Sequence, residues 1–164
     1  MKMIGLWQSC CTLYKKKEAK LNQFKTEQED FWAGDFGDKY ISRNESSELL
    51  ASNLKFFSDA LRTTSNISEC LEFGANIGMN LKALKLLYPK ISQHAIEINK
   101  KAASILSETI PQKNIFNQSI LDFNPKRKWD LVLIKGVLIH LNQEYLKQIY
   151  KTLINSTSRY LLIC

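Results

Sequence analysis

Two glycines of the sequence have the spacing of a nucleotide-binding turn. The apolar run 70–73 is followed by Gly74-Ala-Asn-Ile-Gly78, in which Asn76 stands where a dinucleotide-binding turn has its middle glycine. That glycine lets a pyrophosphate approach the backbone, whereas an asparagine tolerates the same dihedral angles but adds a side chain. The turn therefore favours a ligand without a diphosphate.

Two acidic residues accompany this turn. Glu72 lies two residues before the first glycine, where a carboxylate would repel phosphate and attract an ammonium group. Glu97 lies nineteen residues beyond Gly78, at the place where an acidic side chain accepts hydrogen bonds from ribose hydroxyls. The alternatives are that Glu72 merely ends a strand and that Glu97 is an exposed acid before a helix cap at Asn99. Together the two acids indicate a ligand that carries a ribose and an ammonium group.

Alternating strands and helices must position these residues. Apolar runs predict strands over 67–73, 91–97, 114–118, 130–134 and 159–163. Helical periodicity and caps predict helices over 46–61, 78–88, 99–109 and 142–155. Repeated β-α units of this length specify a parallel sheet with right-handed crossovers. The expected fold class is α/β, a Rossmann-like, doubly wound, mostly parallel sheet with helices on both faces.

Length and charge narrow the possible functions. The chain of 164 residues has room for one domain, predicted over 25–164, and residues 1–24 are predicted to be an N-terminal appendage. A disordered leader is the simplest interpretation of that appendage, with a membrane-surface or partner-docking arm as the alternative. The net charge of +7 keeps nucleic acid as a candidate partner, but aromatic residues are not interleaved with the basic ones. A small-molecule site therefore ranks above a nucleic-acid site.

The cysteines favour a reducing compartment. The four cysteines have no metal-ligand spacing, and Cys70 lies inside a predicted strand. We therefore expect a cytoplasmic protein without a metal site. The apolar stretch near the N-terminus is too short to cross a bilayer.

Several stretches carry a resemblance to a known family. Residues 72–78, Glu97 and residues 129–141 resemble a class I S-adenosylmethionine-dependent methyltransferase. More narrowly, the aromatic and acidic segment 26–44, together with 135–141, is similar to the small methylases associated with pseudaminic acid biosynthesis. The resemblance implies a methyltransferase that uses S-adenosylmethionine on a small molecule, such as a sugar or a nonulosonic-acid pathway intermediate.

The resemblance also implies a role for each matching residue. Around the methionine part of the cofactor would lie Glu72, Gly74, Asn76 and Gly78, with Glu97 on the ribose and Ile98 on the adenine. The adenine amino group would meet Ser119 and Ile120, and Lys135 would lie at the floor of the site. The segment 26–44 would contribute Tyr40, Arg43 and Asn44, with Arg43 pairing with the cofactor carboxylate.

Methyl transfer depends mainly on alignment, because the cofactor is already an activated electrophile. A base is needed only where the acceptor must lose a proton, and the available histidines are His94, in mid-strand, and His140, after the fourth strand. His140 is the candidate catalytic residue, with a structural role as its alternative. Ile134-Lys135-Gly136 replaces the signature of planar-amine methylation, which disfavours adenine or glutamine amide as the acceptor.

The last predicted strand bears on activity. Members of this family continue past a fifth strand with an antiparallel pair, so the chain resembles a C-terminally truncated member. Two alternatives to an enzyme that methylates a small molecule remain. One is a cofactor-binding but inactive fragment or interaction module, and the other is a nucleic-acid methyltransferase. An uncovered apolar last strand also predicts self-association.

Overall fold

The computed structural model describes residues 24–164, so the appendage predicted for residues 1–24 lies outside them except for Phe24. Five parallel strands form one sheet: β1 (Glu69–Phe73), β2 (Ser92–Ile96), β3 (Ile115–Phe116), β4 (Trp129–Ile134) and β5 (Thr157–Ile163). Their order in the sheet is β3-β2-β1-β4-β5, with parallel pairing at each contact. The order in which successive strands are added to the sheet changes side between β1 and β4, the switch point at which such sheets bind ligands. The predicted α/β Rossmann-like fold is confirmed.

Six α-helices accompany the sheet within the described part of the chain. They are α1 (Glu27–Ala33), α2 (Asp35–Ile41), α3 (Ser47–Ala60), α4 (Met79–Leu87), α5 (Lys100–Leu106) and α6 (Leu146–Ser156). Ser46 caps α3 and Asn99 caps α5, because each side chain accepts the N–H of the third residue after it.

Alternate residues of the central strands face two separate hydrophobic clusters. Cys70 and Leu131 pack with helices α3, α4 and α5 on one face, through residues such as Leu84. Leu71 and Val132 pack on the other face with α6 and with the loop 120–123. This alternation explains why β1 and β4 are apolar almost throughout, as buried parallel strands are. The sheet is thereby fixed from both sides, and its carboxyl ends are held in place.

The segment 26–41 folds as two short helices, although its sequence has no clear helical periodicity. Thr26 and Glu29 form a capping box at the start of α1, with Glu29 N–H donating to Thr26 Oγ1 and Thr26 N–H donating to Glu29 Oε2. Gly34 separates the two helices and leaves its own N–H bonded to Asp30 O. We call α1 and α2 together the cap, since they lie over the carboxyl ends of the strands.

Some predicted bounds differ from the structure. The third strand has two residues rather than five, and α5 ends at Leu106 rather than at residue 109, where turn hydrogen bonds from Ser107 and Thr109 replace the helix. The helix predicted from Asn142 begins as a 3-10 turn, and regular α-helix starts at Leu146. These differences lie at element ends, where propensity decides least.

The edge strand β5 pairs with β4 alone within residues 24–164. Self-association through it stays a prediction. None of the helices among these residues has the length and apolar character needed to cross a membrane.

Candidate functional site

A cavity of about 340 Å³ lies between the carboxyl ends of the strands and the cap. Its size is in the usual range for small-molecule sites. The turn after β1 and the end of β2 contribute Gly74, Ala75, Asn76, Ile77, Glu97, Ile98 and Asn99. The loops after β3 and β4 contribute Ser119, Ile120, Leu121, Lys135, Gly136, Val137, His140 and Leu141. The helices add Gln28, Glu29, Trp32, Gly37, Tyr40, Asn44, Leu49, Asn53, Met79, Asn80 and Ala102.

The turn after β1 has a left-handed backbone at three positions. Gly74, Asn76 and Gly78 have φ of 73°, 49° and 81°. A Cβ on Gly74 would lie 2.7 Å from Val137 Cγ2, and one on Gly78 would lie 2.6 Å from Leu106 Cδ1. Both outer glycines are therefore required by dihedral angle and by close packing. Asn76 tolerates the left-handed region and so brings an amide into the cavity.

Glu97 is buried at the end of β2 and is not the exposed acid that the alternative interpretation required, which is therefore wrong. Its side chain is 7% exposed, Oε2 accepts from Asn76 N–H at 2.6 Å, and Oε1 accepts from Asn99 N–H at 2.7 Å. Burial raises the pKa of Glu97, while the N–H groups of Asn99, Asn76 and Ile98 act in the opposite direction. Each oxygen has one further lone pair that a ligand hydroxyl could use.

Glu72 is fully buried beneath the turn and does not line the cavity itself. Its Oε1 accepts from Asn80 Nδ2 at 2.6 Å, and Asn80 does line the cavity. Burial raises the pKa of Glu72 to about 8, against the lowering effects of the Asn80 hydrogen bond and the Lys135 charge. The carboxyl group is therefore largely protonated near neutral pH and is poised to ionise when a cation arrives.

Three buried side-chain oxygen atoms at this end of the site have no hydrogen-bond partner within residues 24–164, and the Glu72 oxygen among them accepts hydrogen bonds once the carboxyl group ionises. They are Glu72 Oε2, Asn76 Oδ1 and Asn80 Oδ1. Buried polar atoms are almost always paired, so a cluster of three unpaired oxygens marks a place for a ligand with several donors. An ammonium group, with its three N–H donors and a positive charge, fits that set.

Asn99 connects the cap to the carboxylate of Glu97. Its Oδ1 caps α5 through Ala102 N–H, and its backbone N–H donates to Glu97. Its Nδ2 donates to Asp38 Oδ1 at 2.8 Å and lies 3.4 Å from the carbonyl oxygen of Trp32. One side chain thus fixes the cap against the helix that follows the second strand.

Aromatic rings form one wall of the cavity. The Trp32 ring lies 4.8 Å from the His140 ring and 5.2 Å from the Tyr40 ring, centroid to centroid. Phe36 packs edge-on to Trp32, and Phe31 stacks on Phe36 with half of its surface exposed. His140 itself is exposed, at the rim of the cavity. The wall therefore offers flat aromatic surfaces together with the imidazole of His140 and the phenol of Tyr40.

The structure brings most of the predicted site residues to one cavity. Its lining includes Tyr40, Asn44, Gly74, Asn76, Glu97, Ile98, Ser119, Ile120, Lys135 and His140. Arg43 is not among them, because it lies in the exposed turn that ends the cap. Gly78 lies behind the turn as the residue before α4, and Glu72 lies beneath it. These three are adjacent to the cavity rather than in its wall.

Sequence reasoning missed several lining residues. Among them are Asn80, Asn53, Gln28 and Glu29. The Thr26-x-x-Glu29 spacing is a capping-box signal that would have located the first helix and turned Glu29 inward. Asn80 follows from the helix that the turn begins, since it lies one residue inside α4.

Replacing Gly37 with alanine should loosen the cap. A Cβ at Gly37 would lie 1.9 Å from Trp32 O and 2.8 Å from Asn99 Nδ2, so the helix pair must shift. We expect a loss of about 1–3 kcal/mol in the free energy of unfolding, measured by chemical denaturation. Gly34→Ala is the matched control, because its Cβ meets Asp30 O at 3.1 Å and its φ is ordinary. Equal losses in both variants would contradict tight packing at Gly37.

Comparisons with known proteins identify the fold. The chain is similar to the plantazolicin methyltransferase BpumL, solved with a pentazolic desmethylPZN analog and SAH, at 19% identity and a TM-score of 0.62 over 79% of this chain and 52% of that one. It is also similar to a Leishmania major SAM-dependent methyltransferase, at 14% identity and a TM-score of 0.66 over 83% and 58%. A third, the sugar N-methyltransferase KedS8 from Streptoalloteichus, has 13% identity and a TM-score of 0.62 over 80% and 53%.

These likenesses show the α/β fold that such methyltransferases share. The chain spans about half the length of the solved structures it matches first. No protein-family model and no curated protein matches it.

Proposed function

We propose that this protein is an S-adenosylmethionine-dependent methyltransferase of a small molecule. The observation that carries the proposal is the set of unpaired buried oxygens beside a left-handed turn, next to a buried carboxylate at the end of β2. These oxygens lack hydrogen-bond donors, and the turn disfavours a diphosphate. The arrangement therefore suits a ligand with an amino group and a ribose. Likeness in fold to solved methyltransferases supports the same conclusion.

The cofactor half of the site would lie along the turn and the end of β2. Asn76, Asn80 and the carboxyl group of Glu72 would hold the amino group, and Glu97 the ribose hydroxyls. Ile98 and Ile120 would pack on the base. When bound, the cofactor supplies an activated methyl group. The chain has to bind and orient the cofactor and the acceptor and to exclude water from them. Proximity of the two molecules accounts for most of the rate gain.

The acceptor half would lie between the cap and the loop after β4. Trp32 and His140 provide flat surfaces there, and Gln28 and Glu29 provide polar groups. Glu29 is 5% exposed, and its Oε1 has no partner among the described residues, so it is ready to accept a hydrogen bond from a hydroxyl or amine. His140 is the residue proposed to take a proton where the acceptor must lose one.

The combination of a tryptophan face with two polar side chains favours a polyhydroxylated acceptor. Sugar rings stack their C–H faces on aromatic rings and direct hydroxyls to carboxylates and amides. We therefore propose a sugar or nonulosonic-acid pathway intermediate as the acceptor class. The sugar N-methyltransferase among the similar structures is in keeping with this proposal.

Calorimetric titration with S-adenosylmethionine and S-adenosylhomocysteine tests the cofactor assignment. We expect saturable binding of both at one site, because both carry the amino group and the ribose that the site matches. NAD is the matched control ligand and should bind at least about tenfold more weakly, because the Asn76 side chain stands where a diphosphate would approach the backbone. Absence of heat at millimolar ligand, or tighter binding of NAD, would overturn the assignment.

A further inference from the structure

A second cavity of about 270 Å³ shares no lining residue with the first. It lies beside the short strand β3 and the loop that leads into β4. Its apolar wall includes Phe116, Phe123 and Trp129, and His94 of β2 also lines it. The Trp129 ring lies 5.6 Å from His94, 6.2 Å from Phe123 and 6.4 Å from Phe116, centroid to centroid. The proposed methyl transfer uses none of these four rings.

Two buried ring nitrogens of this cavity lack partners within the described chain. They are Trp129 Nε1 and His94 Nδ1, in side chains that are 2% and 9% exposed. An indole N–H can only donate, whereas the histidine nitrogen can accept or, when protonated, donate. A buried donor without an acceptor costs about 1–3 kcal/mol, which a ligand oxygen would recover.

Three cationic side chains surround the same cavity. Lys113, Lys126 and Arg127 all belong to its lining and are exposed to water at their ends. The Arg127 guanidinium carbon lies 4.9 Å from the Trp129 ring centroid. Glu69 pairs with Arg127 and offsets one of these charges, so the two lysines supply the excess. Aromatic walls with an unpaired N–H and net positive charge fit an anion with an apolar body.

We propose that this second cavity binds a small organic oxyanion, a phosphate monoester or a carboxylate with an apolar or planar body. An anion oxygen accepts from Trp129 Nε1, the two lysines neutralise the charge, and the body packs against Phe116 at the cavity wall. The volume of the cavity, about 270 Å³, suits a small molecule rather than an extended nucleic-acid strand. The site is separate from the methyl-transfer site and does not depend on it.

Two-dimensional NMR of the ¹⁵N-labelled full chain tests the proposal through the indole N–H signals. The sequence has three tryptophans, Trp7, Trp32 and Trp129, and W7F and W32F identify the third signal by elimination. Phenyl phosphate, as the phosphate monoester, should shift the Trp129 signal saturably. Benzoate tests in the same way whether a carboxylate binds. Inorganic phosphate should act more weakly because it lacks a ring, and phenol should have no effect because it lacks charge. S-adenosylhomocysteine should shift Trp32 instead, which keeps this test distinct from that of the proposed function.

The double variant K113M/K126M should raise the dissociation constant for phenyl phosphate about fivefold, as expected for two partly exposed charges. K147M/K151M, on α6, is the matched control and should leave it unchanged. An unsaturable shift, equal shifts with phenol, or equal effects of the two double variants would overturn the proposal. A shift with only one of the two organic anions would restrict the ligand to that chemistry.

Discussion

Glu97→Ala is expected to weaken the binding of S-adenosylhomocysteine about 100-fold. Hydrogen bonds to a charged group contribute about 1.5–3 kcal/mol each, and some of this is returned when water fills the space, so about 3 kcal/mol should be lost for two ribose hydroxyls. At about 1.4 kcal/mol per factor of ten, that is roughly two orders of magnitude in the dissociation constant. Calorimetric titration of the variant measures it directly.

The controls for this prediction separate binding from folding. Glu97 also accepts the N–H groups of Asn76 and Asn99, so thermal melting of the ligand-free variant must show that the domain stays folded. Glu108→Ala is the matched control, because Glu108 is an exposed acid just beyond the end of α5. A folded Glu97→Ala variant with unchanged affinity would reduce Glu97 to a structural residue that ties the turn to the second strand.

Glu72→Gln is expected to stabilise the ligand-free domain, and increasingly so as the pH rises. The folded state raises the pKa of Glu72 from 4.5 to about 8 through burial, so between these values the folded chain holds a proton that the unfolded chain releases. Wild-type stability therefore falls with rising pH in this window, by about 1.4 kcal/mol per pH unit from this group. Glutamine cannot ionise, so the Glu72→Gln variant does not lose this part of its stability as the pH rises. The variant should gain about 3 kcal/mol relative to wild type between about pH 5.5 and pH 8.

Chemical denaturation at several pH values checks this expectation, with the difference between the two proteins as the measured quantity. Taking the difference cancels the groups that do not interact with Glu72, whereas the charges of Glu97 and Lys135 act on Glu72 and contribute to the difference. Glu108→Gln should run parallel to wild type throughout. Stability curves of Glu72→Gln and wild type that stay parallel would show that Glu72 is ionised in the folded protein. The same variant should bind S-adenosylhomocysteine more weakly, because an amide cannot ionise beside an ammonium group.

Strong local patterns made the sheet predictable. Apart from Glu72 and Asp130, the runs at 70–73 and 130–134 are apolar on both faces, which favours a buried strand between helices. Pro89 marks the end of α4 within two residues. The turn 74–78 could be located because left-handed backbone demands glycine or asparagine at fixed positions. Glu97 followed from its distance to that turn.

The cap could not be predicted in the same way. Its helices have seven residues each, too few for an apolar period to emerge, and they are held by contacts distant in sequence. Asn99 Nδ2 reaches Asp38 across 61 positions, and Trp32 meets His140 across more than a hundred. Arg43 illustrates the consequence, since a position just past such a helix carries no local signal for which way its side chain turns. Tertiary packing determines where the cap helices and their side chains lie. Local sequence patterns do not reveal these long-range contacts.

The shared role of Asn99 has an evolutionary consequence. Because this residue joins the cap to the backbone beside Glu97, the parts of the chain that we propose to hold the acceptor and the cofactor are not independent of each other. A lineage that altered the cap to accept a new substrate would disturb cofactor affinity at the same time. Substrate range in such a chain should therefore change more readily through substitutions in the loop after β4, such as at Leu141, than through substitutions in α1 and α2.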